Sequence, residues 1–350
     1  MTASVAHRRS VRTAALALVA GVAVACGGTT APDDPTPSRD AGPRGSDRPA
    51  GEEIWLNPEG HGPAAVQEAL ADGRTAEAEA LAALAGQPTA TWFATADNPY
   101  PAVEEVSRAA AGAGQLPVLV AYNVPGRDCG SYSAGGAADV DAYLSWVGSF
   151  AAALGDRPAV VVLEPDAVPH AVAGCAGVDP AARYEVLARA VEILDRQAGA
   201  RVYLDAGNAS WVEDLPALAD ALRRSGIDSA DGFALNVANY ETTEASTEYG
   251  LALSRALEEE APPGAPAAHF VIDTSRNGAG PPEGSDGEEG RWCNPPGRAL
   301  GEPPTTSPDG PSRLDALLWV KQPGDSDGTC QGGPPAGQWW PEGAVDLVTG

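Results

Sequence analysis

Leu116-Pro-Val-Leu-Val-Ala-Tyr122-Asn-Val-Pro-Gly-Arg-Asp128-Cys129 is the stretch on which the fold turns, and Ala159-Val-Val-Val-Leu-Glu-Pro-Asp166 repeats its design. In each, a short apolar run breaks at a proline beside an aspartate. Such a run, bounded by turn residues, fits a strand buried on both faces. Working outward, similar runs occur at Thr89–Phe93, Arg201–Leu204, Gly232–Asn236, His269–Ile272 and Ala316–Val320. Alanine-rich amphipathic segments separate them and predict helices over Ala64–Leu84, Ala102–Ala113, Val140–Ala153, Pro180–Gln197, Val212–Arg224 and Glu244–Glu260. Strand–helix alternation means a parallel sheet with right-handed crossovers. Seven strands in one uninterrupted pattern favour a closed or nearly closed α/β barrel over an open doubly wound sheet. No GxGxxG or P-loop follows a strand, which argues against a nucleotide site.

The predicted barrel occupies residues 53–350. Ahead of it, Arg8, Arg9 and Arg12 precede an apolar run from Ala14 to Ala25, too short to span a membrane and shaped like a signal peptide over residues 1–25. Ala23-Val-Ala-Cys26 resembles a lipobox, with Cys26 as the lipidated first residue; ordinary cleavage after Ala25 is the alternative. Residues 26–52 are Gly, Pro, Thr, Ser, Asp and Arg with almost nothing apolar, a tether that cannot bury enough surface to fold. The expected protein is exported, as a cell-surface lipoprotein or in secreted form. It touches a membrane only through its N-terminus, and a monomer is the default.

The formal charge is −26, and loss of residues 1–25, with three arginines and no acid, makes it −29. Nucleic acid and anionic membrane are therefore poor partners, whereas a neutral polymer is not excluded. Lys321 is the only lysine. Apart from Cys26, the cysteines are Cys129, Cys175, Cys293 and Cys330, which suggest two disulfides from three possible pairings. No CxxC or histidine cluster points to a metal, and no cofactor is expected.

Chemistry-bearing residues follow the strands: Tyr122 to Asp128, Asp166, Asp205, Asn236 to Asn239, Asp273 and Lys321 to Asp327. Asp and Asn also suit turns and helix caps, so any one of these has a purely local reading. Together, at the C-terminal face where parallel barrels place their sites, they point to one cleft. Paired carboxyls in a groove suit glycosidic-bond hydrolysis, one protonated to assist the leaving oxygen and one ionised.

Seven blocks, in order, resemble glycoside hydrolase family 6, the inverting cellulases: Tyr122 to Gly136, Leu163 to Ala167, Tyr203 to Gly207, Asn236 to Tyr240, Asp273 to Gly278, Trp292 to Asn294, and Trp319 to Gly328. The resemblance implies a distorted barrel of about seven parallel strands and sequential disulfides, Cys129–Cys175 and Cys293–Cys330. It implies Asp166 as general acid, Asp128 as the second carboxylate that keeps it protonated, and Asp327 as a candidate base or sugar-binding group. Tyr122 would crowd the sugar at the cleavage point and Ser133 would hold the attacking water. Arg127, Asp205, Asn208, Asn236, Asn239, Lys321 and Asp325 fall among expected substrate contacts, and Trp92, Trp211 and Trp292 match platforms for glucosyl rings. Trp146, Trp319, Trp339 and Trp340 are assigned to packing. Two departures bear on substrate preference: Asn208 stands where histidine is common, and Asp325 replaces a usual glutamate.

The expected substrate is β-1,4-glucan or a cello-oligosaccharide cleaved internally, since the Cys293–Cys330 segment is short. The alternatives are cellobiose release from chain ends, a barrel glycosidase acting on another polysaccharide, and a non-catalytic surface glucan-binding lipoprotein.

Overall fold

The computed structural model describes residues 48–259, 261–262, 266–283 and 289–349. The expected signal peptide, Cys26 and most of the tether lie outside the described residues. Seven strands, β1 (Thr91–Phe93), β2 (Val118–Ala121), β3 (Ala159–Leu163), β4 (Ala200–Asp205), β5 (Gly232–Leu235), β6 (His269–Asp273) and β7 (Leu314–Leu318), pair in sequence order, all parallel. The helices are α1 (His61–Ala71), α2 (Thr75–Ala85), α3 (Tyr100–Ala113), α4 (Val140–Leu154), α5 (Ala167–Ala173), α6 (Pro180–Asp195), α7 (Leu215–Arg224), α8 (Thr243–Glu259), α9 (Glu289–Trp292) and α10 (Pro341–Thr349).

Because successive side chains in a strand point to opposite faces, each strand feeds two cores. Val118, Val120, Val160, Val162, Tyr203, Ala234, Val271, Ala316 and Leu318 fill the concave interior. Leu119, Val161, Leu163, Leu204, Phe233, Leu235, Phe270 and Ile272 pack outward against the helices. Burying one such Val, Leu or Phe contributes about 1.5–3 kcal/mol, so the sheet is held on both faces. This is why the strands read as continuous apolar runs rather than alternating ones.

The sheet curls into a distorted barrel whose first and last strands do not pair. Across the seam the Ala90 N–H donates to the Trp319 carbonyl (2.9 Å), Trp92 Nε1 donates to the Val320 carbonyl (2.7 Å), and Gln322 Nε2 donates to the Ala90 carbonyl (3.0 Å). Below, Ile54 bridges to Leu116 and plugs the floor. Between β6 and β7 the register jumps from Phe270↔Leu314 to Val271↔Ala316. Asp315 is the extra residue of that bulge. Its carboxylate takes the Tyr203 hydroxyl (2.9 Å) and pairs with His269 Nδ1 (2.8 Å), so the buried acid is partnered.

The predicted helix over Ala64–Leu84 is two helices, α1 and α2. The chain breaks at Asp72-Gly73, where Gly73 takes φ +74°, a region that glycine enters without penalty. The two helices fold back on one another, and α2 packs against α10 through Leu81, Leu84 and Ala344. Helix α7 starts at Leu215, later than expected, because the Asp214 side chain caps it by accepting the Ala217 N–H (3.0 Å). Helices α5, α9 and α10 were not predicted; each is too short to develop an apolar period.

Candidate active site

A groove of about 1050 Å³ opens at the C-terminal ends of the strands. Tyr122 and Asp128 come from the loop after β2, Asp166 follows β3, Asn208 follows β4, and Lys321 follows β7. All line this one groove.

The β3 loop is tightly wound: Glu164 (φ 49°) and Asp166 (φ 71°) both sit in the left-handed region. Strain of this kind persists only where surrounding contacts over-determine it. Here the Asp166 N–H donates to Asp205 Oδ2 (2.9 Å), and the Glu164 carboxylate accepts the N–H groups of Asn123 (3.0 Å) and Val124 (2.9 Å). Glu164 thus ties the loop bearing Tyr122 and Asp128 to the loop bearing Asp166. It is buried, and burial pushes its carboxyl up to about 7 against the pull of those N–H groups.

The Tyr122 hydroxyl donates to Asp166 Oδ2 at 3.4 Å. Burial raises the Asp166 carboxyl well above the carboxylate range, and the charges of Asp205 and Asp128 raise it further against that hydrogen bond. A carboxyl so placed holds its proton more tightly than an ordinary aspartate, as a proton donor must. Asp128 is also raised by burial, but the Ser133 N–H (2.6 Å) and the Arg127 charge oppose the shift and favour its ionised form. Asp205, pushed to about 7 by burial, does not line the groove. Its Oδ2 is turned to the N–H groups of Asp166 and Gly207 (3.3 Å), behind the acid. The expected substrate contact at Asp205 is therefore replaced by a support to Asp166.

Asp327 is the centre of a second cluster. It pairs with Arg276 Nη1 (2.8 Å) and Lys321 Nζ (3.0 Å) and accepts the Tyr240 hydroxyl (3.1 Å) and the Asn294 N–H (3.1 Å). Burial alone would raise this carboxyl, but Arg276 and Lys321 outweigh it and hold it well below the usual range. The sole lysine is thus committed to Asp327 and to the Ser326 carbonyl (3.2 Å).

Three tryptophans line the groove. Trp92 stands edge-on to Tyr122 (5.4 Å between centroids), Trp211 to His170 (4.9 Å), and Trp292 to Tyr132 (6.1 Å). Tyr132 lies over Gly328, where an added Cβ would come within 2.3 Å of its ring, so only glycine allows that approach. Arg127 lies over the Tyr122 ring (4.8 Å) and donates through Nε to the Ser133 carbonyl (2.8 Å), fixing the loop that carries Asp128. Asn208 Oδ1 accepts the Ser210 N–H (3.1 Å), and the Ser210 hydroxyl donates to Glu241 (2.6 Å). Asn239, Ser133 and Asp325 also line the groove.

Asn236 does not. It is buried, and its side chain accepts the Glu241 N–H (3.0 Å) and donates to the Asp273 carbonyl (2.8 Å), so it organises the β5 loop rather than meeting a ligand. The cysteines pair sequentially, Cys129–Cys175 and Cys293–Cys330, with Cα separations of 5.7 and 6.1 Å. Among the described residues no cluster of three or more His, Cys, Asp or Glu could hold a metal.

Glu164, Arg276, Tyr132, His61 and His170 are site residues that the sequence reading missed. Glu164, Arg276 and Tyr132 stood inside quoted blocks, Glu164 two residues from Asp166 and Arg276 far in sequence from the Asp327 it pairs with. The others carried no signal beyond residue type.

The sequence matches the glycosyl hydrolases family 6 profile over residues 49–350. It is 44% identical over 272 residues to Endoglucanase A of Cellulomonas fimi, spanning 77% of this chain and 55% of that protein. It is 42% identical over 287 residues to Endoglucanase 1 of Streptomyces halstedii, spanning 80% and 83%. The fold is similar to that of the endoglucanase Cel6 from Mycobacterium tuberculosis in complex with methyl-cellobiosyl-4-deoxy-4-thio-β-D-cellobioside: TM-score 0.77, 39% identity, covering 86% of this chain and 98% of that one. The chain thus spans about half the length of the Cellulomonas relative and nearly all of the Mycobacterium structure. With the profile matched from end to end of the barrel, the chain belongs to glycosyl hydrolase family 6.

Proposed function

We propose that the chain is an inverting endo-β-1,4-glucanase in which Asp166 protonates the leaving glucosidic oxygen. The observation that carries this reading is the raised carboxyl of Asp166, half-buried with Asp128 and Tyr122 beside it, in a groove lined by tryptophans. Stacking on Trp92, Trp211 and Trp292 aligns a glucan chain through the apolar faces of its rings. Tyr122 presses on the sugar at the scissile bond, and the Asp128 carboxylate supports the oxocarbenium-like charge. Water, held near Ser133, attacks from the opposite face and inverts the anomeric centre.

Asp327 serves this scheme as an anchor of the sugar-binding loop. A carboxylate paired to two cations has little affinity for a further proton, so the water's proton leaves by another route, relayed through solvent to a more distant carboxylate. Internal cleavage is supported by the Cys293–Cys330 separation of only 37 residues and by the endoglucanase relatives. The two disulfides fit an exported protein, in line with the apolar leader.

Replacing Asp166 by alanine is expected to lower kcat on carboxymethylcellulose by about 10²–10⁴-fold with binding of cello-oligosaccharides retained. Undiminished cleavage would remove Asp166 from the mechanism. Proton NMR of fresh product should show the α-anomer first, and the β-anomer would mean a covalent, retaining route.

A further inference from the structure

Helices α1 and α2 stand outside the barrel, yet the first residue of α1 reaches the groove. His61 lines it, as do Asn57, Glu59 and Trp92, and its Nδ1 lies 2.6 Å from Asp325 Oδ1, in the loop whose start at Val320 accepts the Trp92 Nε1–H (2.7 Å). The imidazole is held on a second side by Trp339, edge-on at 6.3 Å. The same Trp339 bridges backbone to backbone with Asp325, so ring and carboxylate are framed by one element. The His61 side chain is 47% exposed, the Asp325 side chain 10%. Among the described residues neither His61 Nε2 nor Asp325 Oδ2 has a hydrogen-bond partner, and the imidazole is the more exposed of the two.

Two features of this end of the groove give the pair its meaning. Lys321, the cation expected to meet sugar here, is spent on Asp327 and Ser326. Asp325, one methylene shorter than glutamate, has its Oδ1 occupied by His61 and is largely covered. The imidazole is the exposed partner of the pair and faces the groove. We propose that His61 is a specificity-determining residue, delivered by α1 to bond a hydroxyl of a glucosyl unit at the Trp92 end of the groove. The chemistry fits a neutral polyol, whose hydroxyls both donate and accept. A hydroxyl can also donate to a neutral Nε2 or accept from a protonated one.

The inference rests on the glucanase reading, and its test separates the two. Full-chain wild type, His61→Ala, Asp325→Ala and the double variant are assayed on cellotriose through cellohexaose. The result expected of His61→Ala is KM raised about three- to tenfold for oligosaccharides long enough to pass Trp92. Shorter ones should be unchanged, and kcat should stay within about twofold throughout. The double variant should lose no more than the worse single one, because the two side chains act as a unit. Unchanged KM at every length, or KM raised equally at every length with a lowered melting temperature, overturns the proposal and leaves a structural pair. Should Asp325→Ala fail to fold, the length profile of His61→Ala decides alone. Wild type that cleaves none of these sugars refutes the glucanase reading itself.

Discussion

Replacing Asp327 by asparagine separates two roles that the same position could fill. Asparagine keeps the shape and can still accept the Asn294 N–H and the Tyr240 hydroxyl. It cannot neutralise Arg276 and Lys321, whose side chains are only 4% and 12% exposed. Breaking a buried pair by removing one partner costs about 3–5 kcal/mol, because the remaining charge is left uncompensated. Arg276 Nη2 keeps the Ala238 carbonyl (2.5 Å) and Lys321 keeps Ser326, so the lower part of that range is expected. At about 2 °C per kcal/mol for a domain of this size, the melting temperature should fall by roughly 6–8 °C. The pH dependence follows from the depressed carboxyl. Stabilisation by Asp327 is complete above its unfolded value, near 3.8, and is lost as pH falls through the lower folded value. The deficit of the variant should therefore be constant from pH 5 to 8 and shrink below about pH 4. Scanning calorimetry measures this, with kcat read in parallel at 20 °C. A catalytic base would behave otherwise: unchanged melting temperature, kcat lower by about 10²–10⁴-fold, and recovery with azide as a substitute nucleophile. That result would refute the anchor assignment.

The other predictions concern the acid and the framework. Asp128→Asn removes one of the charges that hold Asp166 protonated, so the alkaline limb of the kcat–pH profile should move to lower pH. The move is partial, because burial and Asp205 contribute more and both remain. An unmoved limb would mean that Asp128 does not sense Asp166. Serine at Cys293 and Cys330 opens a loop of 37 residues and should cost about 4 kcal/mol by the chain-entropy argument, seen as a melting temperature roughly 8 °C lower. Because Asn294, next to Cys293, accepts the Asp327 N–H through Oδ1 (2.8 Å), KM should rise as well; stability lost with KM intact would uncouple disulfide from site.

What could be read from the sequence follows from where the physics is local. A strand buried on both faces announces itself as an unbroken apolar run, and all seven were found. That Asp128 and Asp166 line one groove was legible because each follows such a run, past a proline in the turn. The errors arise where local pattern and tertiary demand part. Asp72-Gly73 interrupts an alanine-rich stretch whose composition favours helix on both sides, so one helix was expected where two exist. Asn236 and Asp205 sit at strand ends like the ligand-facing residues, but the winding of their loops turns them inward. No spacing rule connects Arg276 to Asp327, 51 residues away, or His61 to Asp325, 264 residues away. A second sequence signal was nonetheless present at Asp325: a shortened side chain leaves room that another element must fill. In this chain the filler is a histidine from outside the barrel. The barrel therefore sets where Asp166 stands, while a segment outside it brings His61 to the same groove.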